Sequence, residues 1–511
     1  MSSLGRNIRI QKSLCILMFL ILTVANLSAC TKLSQTGETN QGTDNLTAGT
    51  VTIAYAEPIT DYSPLNYLAI NRKYLSNIYE PLVKFNRNFS TETALAVSWG
   101  RIDDLTWEFH LRKDVLFHDG TTFDSADAVY SLNLAASDKN SDLHGMLSGI
   151  ESATAVGTDR IRIKTLIPDA LLLNRLTYIY MIPDGYTDFN LPIGTGPYGA
   201  KDFKDNTLTL ERFNPYWGPL PYFDTAKLIY IPSPEERISA LISNQVQFLA
   251  SVPPEEIETL KTAGMTVEVF PALEVSYLML NQGGVLKDTS LRTAVWNAIG
   301  SDYAGEFGGG YLESTFQYAA SGILGSSKSV KNNTGNLEAA QEHRSKYPGN
   351  VTLTLDVPEG LTELGNAIKD DLARINVVVQ VNTISSEELA GKIENGTAAD
   401  IYFFGWKYDL ADLAEFFENV THTKTEKFGL YNGFNYSNAE MDGKIENLSN
   451  VLLQTDRSVT LMGLSARFKE EKTVYPLFEA QNIYALSPDI SWVLRLDGQI
   501  WAVDLMKNVL E

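Results

Sequence analysis

Cysteine is nearly absent. Cys15 and Cys30 are the only two in 511 residues, which excludes a disulfide framework as the source of stability. Histidine is almost as scarce, five in all, and none has the spacing that brings several ligands to one metal ion. Positive charge is in deficit, 41 Lys and Arg standing against 62 Asp and Glu for a net charge of −21. Such a surface repels phosphates, which excludes nucleic acid as a partner, and it weakens any polybasic contact with lipid headgroups. The motifs G-x-S-x-G, H-E-x-x-H and C-x-x-C are missing, so nothing announces a hydrolase, a zinc enzyme or a redox site. Beyond residue 50 no apolar run approaches the ~20 residues of a bilayer span.

What is present begins at the N-terminus. Arg6, Arg9 and Lys12 precede the apolar stretch 13–25, and no acidic residue occurs before Cys30. That stretch is too short to span a bilayer comfortably and suits the apolar core of a secretory signal. Leu27-Ser28-Ala29-Cys30 resembles the bacterial lipobox, so residues 1–29 are expected to be a lipoprotein signal peptide. Cys30 then carries the lipid and becomes the new N-terminus, while Cys15 leaves with the signal; no free thiol and no disulfide are expected in the mature chain. The alternative is an uncleaved anchor with a cysteine there by chance. Residues 30–50 are polar and rich in Gly, Thr and Asn, a composition that cannot bury enough surface to order itself. As a tether their reach is roughly 25 Å.

From Val51 onward strand-like and helix-like segments alternate. Residues 51–55 and 107–112 read as strands, the latter with large apolar and polar groups in alternation. Asp124 opens a helix carrying Ala128, Val129, Leu132 and Ala136 on its apolar face. Ser233-Pro234-Glu235-Glu236 combines a capping box with proline in the first helical position. Residues 289–300 put Leu291, Ala294, Val295, Ala298 and Ile299 on one side, with Gly300 placed to end the helix. Strand 351–357, a helix through Leu364, Ile368 and Leu372, and strand 377–384 follow. This order predicts an α/β protein with a mixed or parallel sheet covered by helices.

Several blocks then align with one family. Tyr79-Glu80-Pro81-Leu82 and Leu95-Ala96-Val97-Ser98-Trp99 come first. Phe109-His110-Leu111-Arg112-Lys113, Phe117-His118-Asp119-Gly120-Thr121 and Asp127-Ala128-Val129-Tyr130-Ser131 follow, then Gly194-Thr195-Gly196-Pro197-Tyr198 and Asn214-Pro215-Tyr216-Trp217-Gly218. In this order they resemble the bacterial family 5 (peptide/nickel-type) solute-binding proteins over most of residues 51–511. As residues, His118-Asp119-Gly120-Thr121 is turn chemistry and the Asn214 block is a turn with aromatic anchors, so both are expected to hold the fold. His110 and His118 are expected to be structural. Gly194, Gly196 and Gly199 satisfy G-x-G-x-x-G, but Pro197 and the strand-like run after it lack the helix whose N-terminus would hold a pyrophosphate.

The resemblance implies a two-lobed periplasmic-binding-protein-like fold (cluster C type) with an extra domain, mixed sheets flanked by helices, and a hinge. Lobe I is expected from residues 51–80, 185–272 and 476–511, the extra domain packed on it from 81–184, and lobe II from 273–475. It implies an extracytoplasmic, monomeric, non-enzymatic protein without cofactor or resident metal, delivering oligopeptides or dipeptides to an ABC permease. A nickel chelate, haem, sugar or opine is the alternative cargo, and a receptor or chaperone without an importer the alternative role. For the ligand, residues 400–417 resemble the block G-W-x-x-D-x-x-D-P-x-x-F-F of the peptide-binding members. The resemblance assigns the cargo's α-ammonium to Asp409, with Gly405, Trp406 and Tyr408 around it; without it, Asp409 reads as a helix cap. Leu413 stands where the block has proline, and Asn244 and Gln247 depart from the family's G-x-x-D.

Overall fold

The computed structural model describes residues 49–508 other than 138, 140–141, 301 and 328–334. The expected signal peptide, Cys30 and all but the end of the tether lie outside the described residues.

A mixed sheet of eleven strands runs through the molecule. Its order is Val377–Ile384, Val351–Pro358, Ile401–Lys407, Thr266–Leu280, Val474–Leu486, Phe248–Leu249, Thr50–Tyr55, Thr225–Tyr230, Thr207–Arg212 and Tyr198–Lys204, with Leu312–Ser314 on Val474–Leu486. The expected strand–helix–strand unit is there: Val351 pairs with Val377 in a parallel register that holds to Pro358 and Ile384. The helix between them, Thr362–Ala373, buries Leu364, Ile368 and Leu372, spaced four apart on one face. Helix Pro234–Ile242 starts as its sequence dictates, the Ser233 side chain accepting from the Glu236 N–H at 3.1 Å.

Gly300 does other work than ending a helix. Helix Thr289–Ala298 stops at Ile299, which is extended (φ −61°, ψ 129°). Gly300 donates its N–H to Asp371 Oδ2 at 2.7 Å, and a Cβ there would stand 2.6 Å from the same oxygen. Close approach, not a left-handed turn, is what the missing side chain permits.

A separate antiparallel sheet of four strands, Ala96–Arg101, Thr106–Leu111, Arg160–Thr165 and Ile150–Ala155 in that order, packs on helix Ser125–Ser137. Phe109, Ile161, Ile163, Ala128 and Leu132 build its own core. The main sheet has distinct cores at its two ends, one around Ile53, Leu208 and Leu228 and another around Leu353, Leu364 and Ile401.

Two long strands connect those ends. Thr266–Leu280 and Val474–Leu486 pair antiparallel along their length. Their ladder is interrupted between Pro271 and Val275, where Leu273 adopts φ 56°, a left-handed backbone that a bulky residue rarely takes.

Candidate ligand-binding site

Around this interruption lies a cavity of about 460 Å³, within the range of roughly 300–1,000 Å³ typical of ligand pockets. Its walls come from segments far apart in sequence: Tyr67 to Phe89, Thr177 to Tyr180, Leu273-Glu274, Lys407-Tyr408-Asp409 and Asp497 to Asp504.

Strand Ile401–Lys407 explains one wall. Ile401 and Phe403 face one core while Tyr402, Phe404 and Trp406 face another, the two-residue alternation of a strand buried on both sides. Beyond Lys407 the Tyr408 N–H donates to the Leu273 carbonyl at 2.9 Å, tying this chain to the interrupted ladder. Asp409 then enters the wall. Its Oδ2 accepts from the Tyr67 hydroxyl at 2.7 Å, and its backbone carbonyl accepts from the Tyr178 hydroxyl at 2.7 Å. The two tyrosine rings lie 5.2 Å apart. Burial, then the charge of Asp409, holds both phenols well above their ordinary range, so they remain hydrogen donors. Behind Asp409 the Glu415 carboxylate accepts from the Asp409 and Leu410 N–H groups at 3.3 and 3.1 Å.

The second aspartate of the block faces elsewhere. Asp412 forms a buried two-pronged ion pair with Arg457, at 2.6 Å to Nε and 3.2 Å to Nη2, and its Oδ1 accepts from the Ala414 N–H at 2.8 Å. Asp412 is thus taken up by Arg457 and its own loop, leaving Asp409 to the cavity. Leu413 keeps φ −64°, which a proline would tolerate, but donates its N–H to the Leu324 carbonyl at 3.0 Å, a bond proline cannot make.

Of the residues singled out from sequence, Asp409 and Tyr408 line the cavity and Gly405 and Trp406 do not. The Tyr408 hydroxyl turns inward to Tyr277, 3.1 Å away, and to the Tyr318 carbonyl. Trp406 is 6% exposed and packs edge-on against Phe416 and Tyr431. Gly405 lies beneath Glu274: a Cβ at 405 would come 3.0 Å from Glu274 Oε1.

Sequence reasoning missed most of the wall. Arg72, 5% exposed, lies between the Tyr178 and Tyr180 rings, 4.6 and 4.3 Å from their centres, and donates to the Tyr178 carbonyl at 2.9 Å. The two π faces and the carbonyl stabilise a guanidinium removed from water. Glu274 sits across from Lys407 in the strand register. Burial pushes its carboxyl up to about 7, with Lys407 opposing and Asp409 adding to the rise. Elsewhere on the wall Lys84 lies 4.9 Å over the Trp501 ring, near Arg87 and Asp504. None of these carries a local motif; only tertiary structure gathers them.

The remaining blocks are tied into the fold, and Tyr79, Glu80, Pro81, Pro197 and Tyr216 among them also reach the cavity wall. Glu80 accepts from Thr195, Tyr216 and Trp217 at 2.9, 2.8 and 2.8 Å. His118 takes the Gly194 N–H on Nδ1 and contacts the Gly196 carbonyl through Nε2 at 3.0 Å, an arrangement satisfied by the neutral ring. Burial lowers its pKa accordingly. Asp119 Oδ1 and Gly120 at φ 86° make the expected turn. Among the described residues no group of three or more His, Cys, Asp or Glu is arranged to hold a metal ion, and no helix is long and apolar enough to cross a membrane.

A ligand-sized cavity at the interruption of two long paired strands, walled by segments far apart in the sequence, is the geometry of a small-molecule binding site. The sequence pattern of the bacterial extracellular solute-binding proteins, family 5 (middle segment), matches residues 90–428, and the chain belongs to that family. It is 26% identical over 450 residues to the nickel-binding protein NikA of Staphylococcus aureus, covering 84% of this chain and 89% of that one. With the glutathione-binding protein GsiB of Pectobacterium atrosepticum it shares 23% over 417 residues, covering 76% and 80%. The fold is similar to that of HbpA2 from Haemophilus parasuis (TM-score 0.81, 18% identity, 90% of this chain and 100% of that one). It is also similar to that of DppA from Helicobacter pylori in complex with the peptide STSA (TM-score 0.72, 22% identity, 90% and 98%).

Proposed function

We propose that this chain is the lipid-anchored binding component of an ABC importer, capturing short peptides outside the cytoplasm and presenting them to a membrane permease. The observation that carries the cargo is Asp409: a carboxylate on a cavity wall, oriented by Tyr67 and Tyr178, with Glu274 near it. In a low-dielectric cleft such a group pairs well with an ammonium and poorly with an anion. The aromatic and cationic surfaces beyond it, from Tyr178 and Arg72 to Trp501 and Lys84, suit an extended chain ending in a carboxylate.

Residues 51–80, 185–272 and 476–511 form lobe I in this reading, 81–184 the extra domain and 273–475 lobe II. The pair of long strands serves as the hinge, so cargo shifts the open–closed population that the permease senses. Cys30 carries the lipid and the protein acts as a monomer. The kinship with NikA motivates a second cargo, a nickel chelate.

The test is native mass spectrometry of the purified protein with a library of di- to pentapeptides, run beside a nickel–histidine mixture. Peptide retention is expected, with a rise in melting temperature, since ligand at 100 times its dissociation constant adds about 2.7 kcal/mol. Asp409→Asn is expected to lose at least tenfold in peptide affinity. Retention of the nickel complex with no peptide bound would overturn the peptide reading.

A further inference from the structure

Among the described residues, no hydrogen bond or ion pair answers the carboxylate of Glu274. It lines the cavity, and Lys407 and Asp409 act on it only through their charges. The chain goes to some length to present it. The interrupted ladder and the left-handed Leu273 immediately precede it, and Gly405 leaves free the space its Oε1 approaches.

The charges around it are few. Lys407 faces it from the neighbouring strand and Asp409 from the segment that continues that strand. On the other flanking strand Glu479 is already engaged, accepting from the Ser321 N–H at 2.9 Å and from its hydroxyl at 3.1 Å. Glu415 is occupied by backbone N–H groups behind Asp409, and Tyr67 donates to Asp409. This end of the cavity therefore holds two carboxylates answered by one lysine.

An ammonium group has three hydrogens to donate, and Asp409 already shares Oδ2 with Tyr67. We propose that Glu274 and Asp409 together form a seat for a primary ammonium on the cargo, with Glu274 accepting the hydrogens that Asp409 does not. The proposal rests on the reading of this cavity as a peptide site and narrows it to cargo with a free amino terminus. It has a consequence for acidity. Below pH 7 the empty site holds a proton on Glu274, which an incoming cation must displace, so affinity falls as the solution is acidified.

The experiment is isothermal titration of the full-length protein and of Glu274→Gln at pH 5.5 and 7.0. The probes are trialanine, N-acetyl-trialanine and 1,4-diaminobutane, an amine without a peptide bond. For the unaltered protein, trialanine is expected to bind about tenfold more weakly at pH 5.5 than at pH 7.0. Glu274→Gln should bind it at least tenfold more weakly at pH 7.0, show no change between the two pH values, and bind the acetylated peptide as the parent does. An unchanged affinity and pH slope in Glu274→Gln would remove Glu274 from the site and leave the peptide reading intact. Diaminobutane bound in a Glu274-dependent way, with no peptide bound, would keep the ammonium seat and discard peptide cargo. Binding of none of the probes overturns both.

Discussion

A methyl group added at Gly196 would stand 2.6 Å from the carbonyl oxygen of Ile78 and 2.8 Å from that of Asn77. At Gly194 the Ile78 oxygen would be nearer still, at 2.2 Å. These glycines are there so that two backbones can touch, and the Gly196 N–H bonds to Ile78 at 2.8 Å. Gly196→Ala is therefore expected to destabilise the protein by about 2–3 kcal/mol through backbone displacement, read as a lower midpoint in urea unfolding. The G-x-G-x-x-G spacing is thus explained without a phosphate. The turn at Asp119-Gly120 was legible because it depends on neighbours within a few residues, whereas the partners of His118, Gly194 and Gly196, lie more than seventy residues away. Asp409 was legible only through the resemblance of its block; nothing local separates it from Asp412, and only the position of Arg457 shows which aspartate is spoken for.

Elements followed the same rule. The unit from Val351 to Ile384 was readable because apolar periodicity and caps are local signals, and the helix start at Ser233 likewise. The end of helix Thr289–Ala298 at Ile299 was not, because the reason for Gly300 is Asp371, some seventy residues away. Tyr67, Arg72, Tyr178 and Glu274 escaped notice for a similar reason: they meet across the fold and no spacing links them. Helix Gln454–Glu470 shows what a distant partner contributes. It is held to the binding loop by Arg457, whose pair with Asp412 leaves both side chains under 5% exposed. Asp412→Asn should cost about 3–5 kcal/mol, because it leaves a buried guanidinium uncompensated. Thermal unfolding should reveal the loss, and the peptide affinity of the folded fraction should fall as the loop carrying Asp409 loosens.

Charge acts on the molecule as a whole. Burial raises the carboxyls of Glu274 and Glu418 from 4.5 to about 7. A group with a raised folded pKa contributes stability that is fully present below its unfolded pKa and is lost as pH climbs through the folded value. The empty protein should accordingly be more stable at pH 5 than at pH 8, by on the order of 5 kcal/mol. The self-repulsion of a net charge of −21 acts in the same direction. Unfolding midpoints at the two pH values test this; a higher midpoint at pH 8 would contradict it. The paired strands that cross the molecule carry a mechanical implication. Two hydrogen-bonded strands resist sliding and splaying, so flexing is their softest motion, and it concentrates where the ladder is broken, at residues 271–275. A point on a pivot barely moves while everything at a distance from it sweeps an arc. Glu274 lies at such a point, so in the opening and closing we propose it would be a fixed post against which the moving tyrosines bring their cargo to rest.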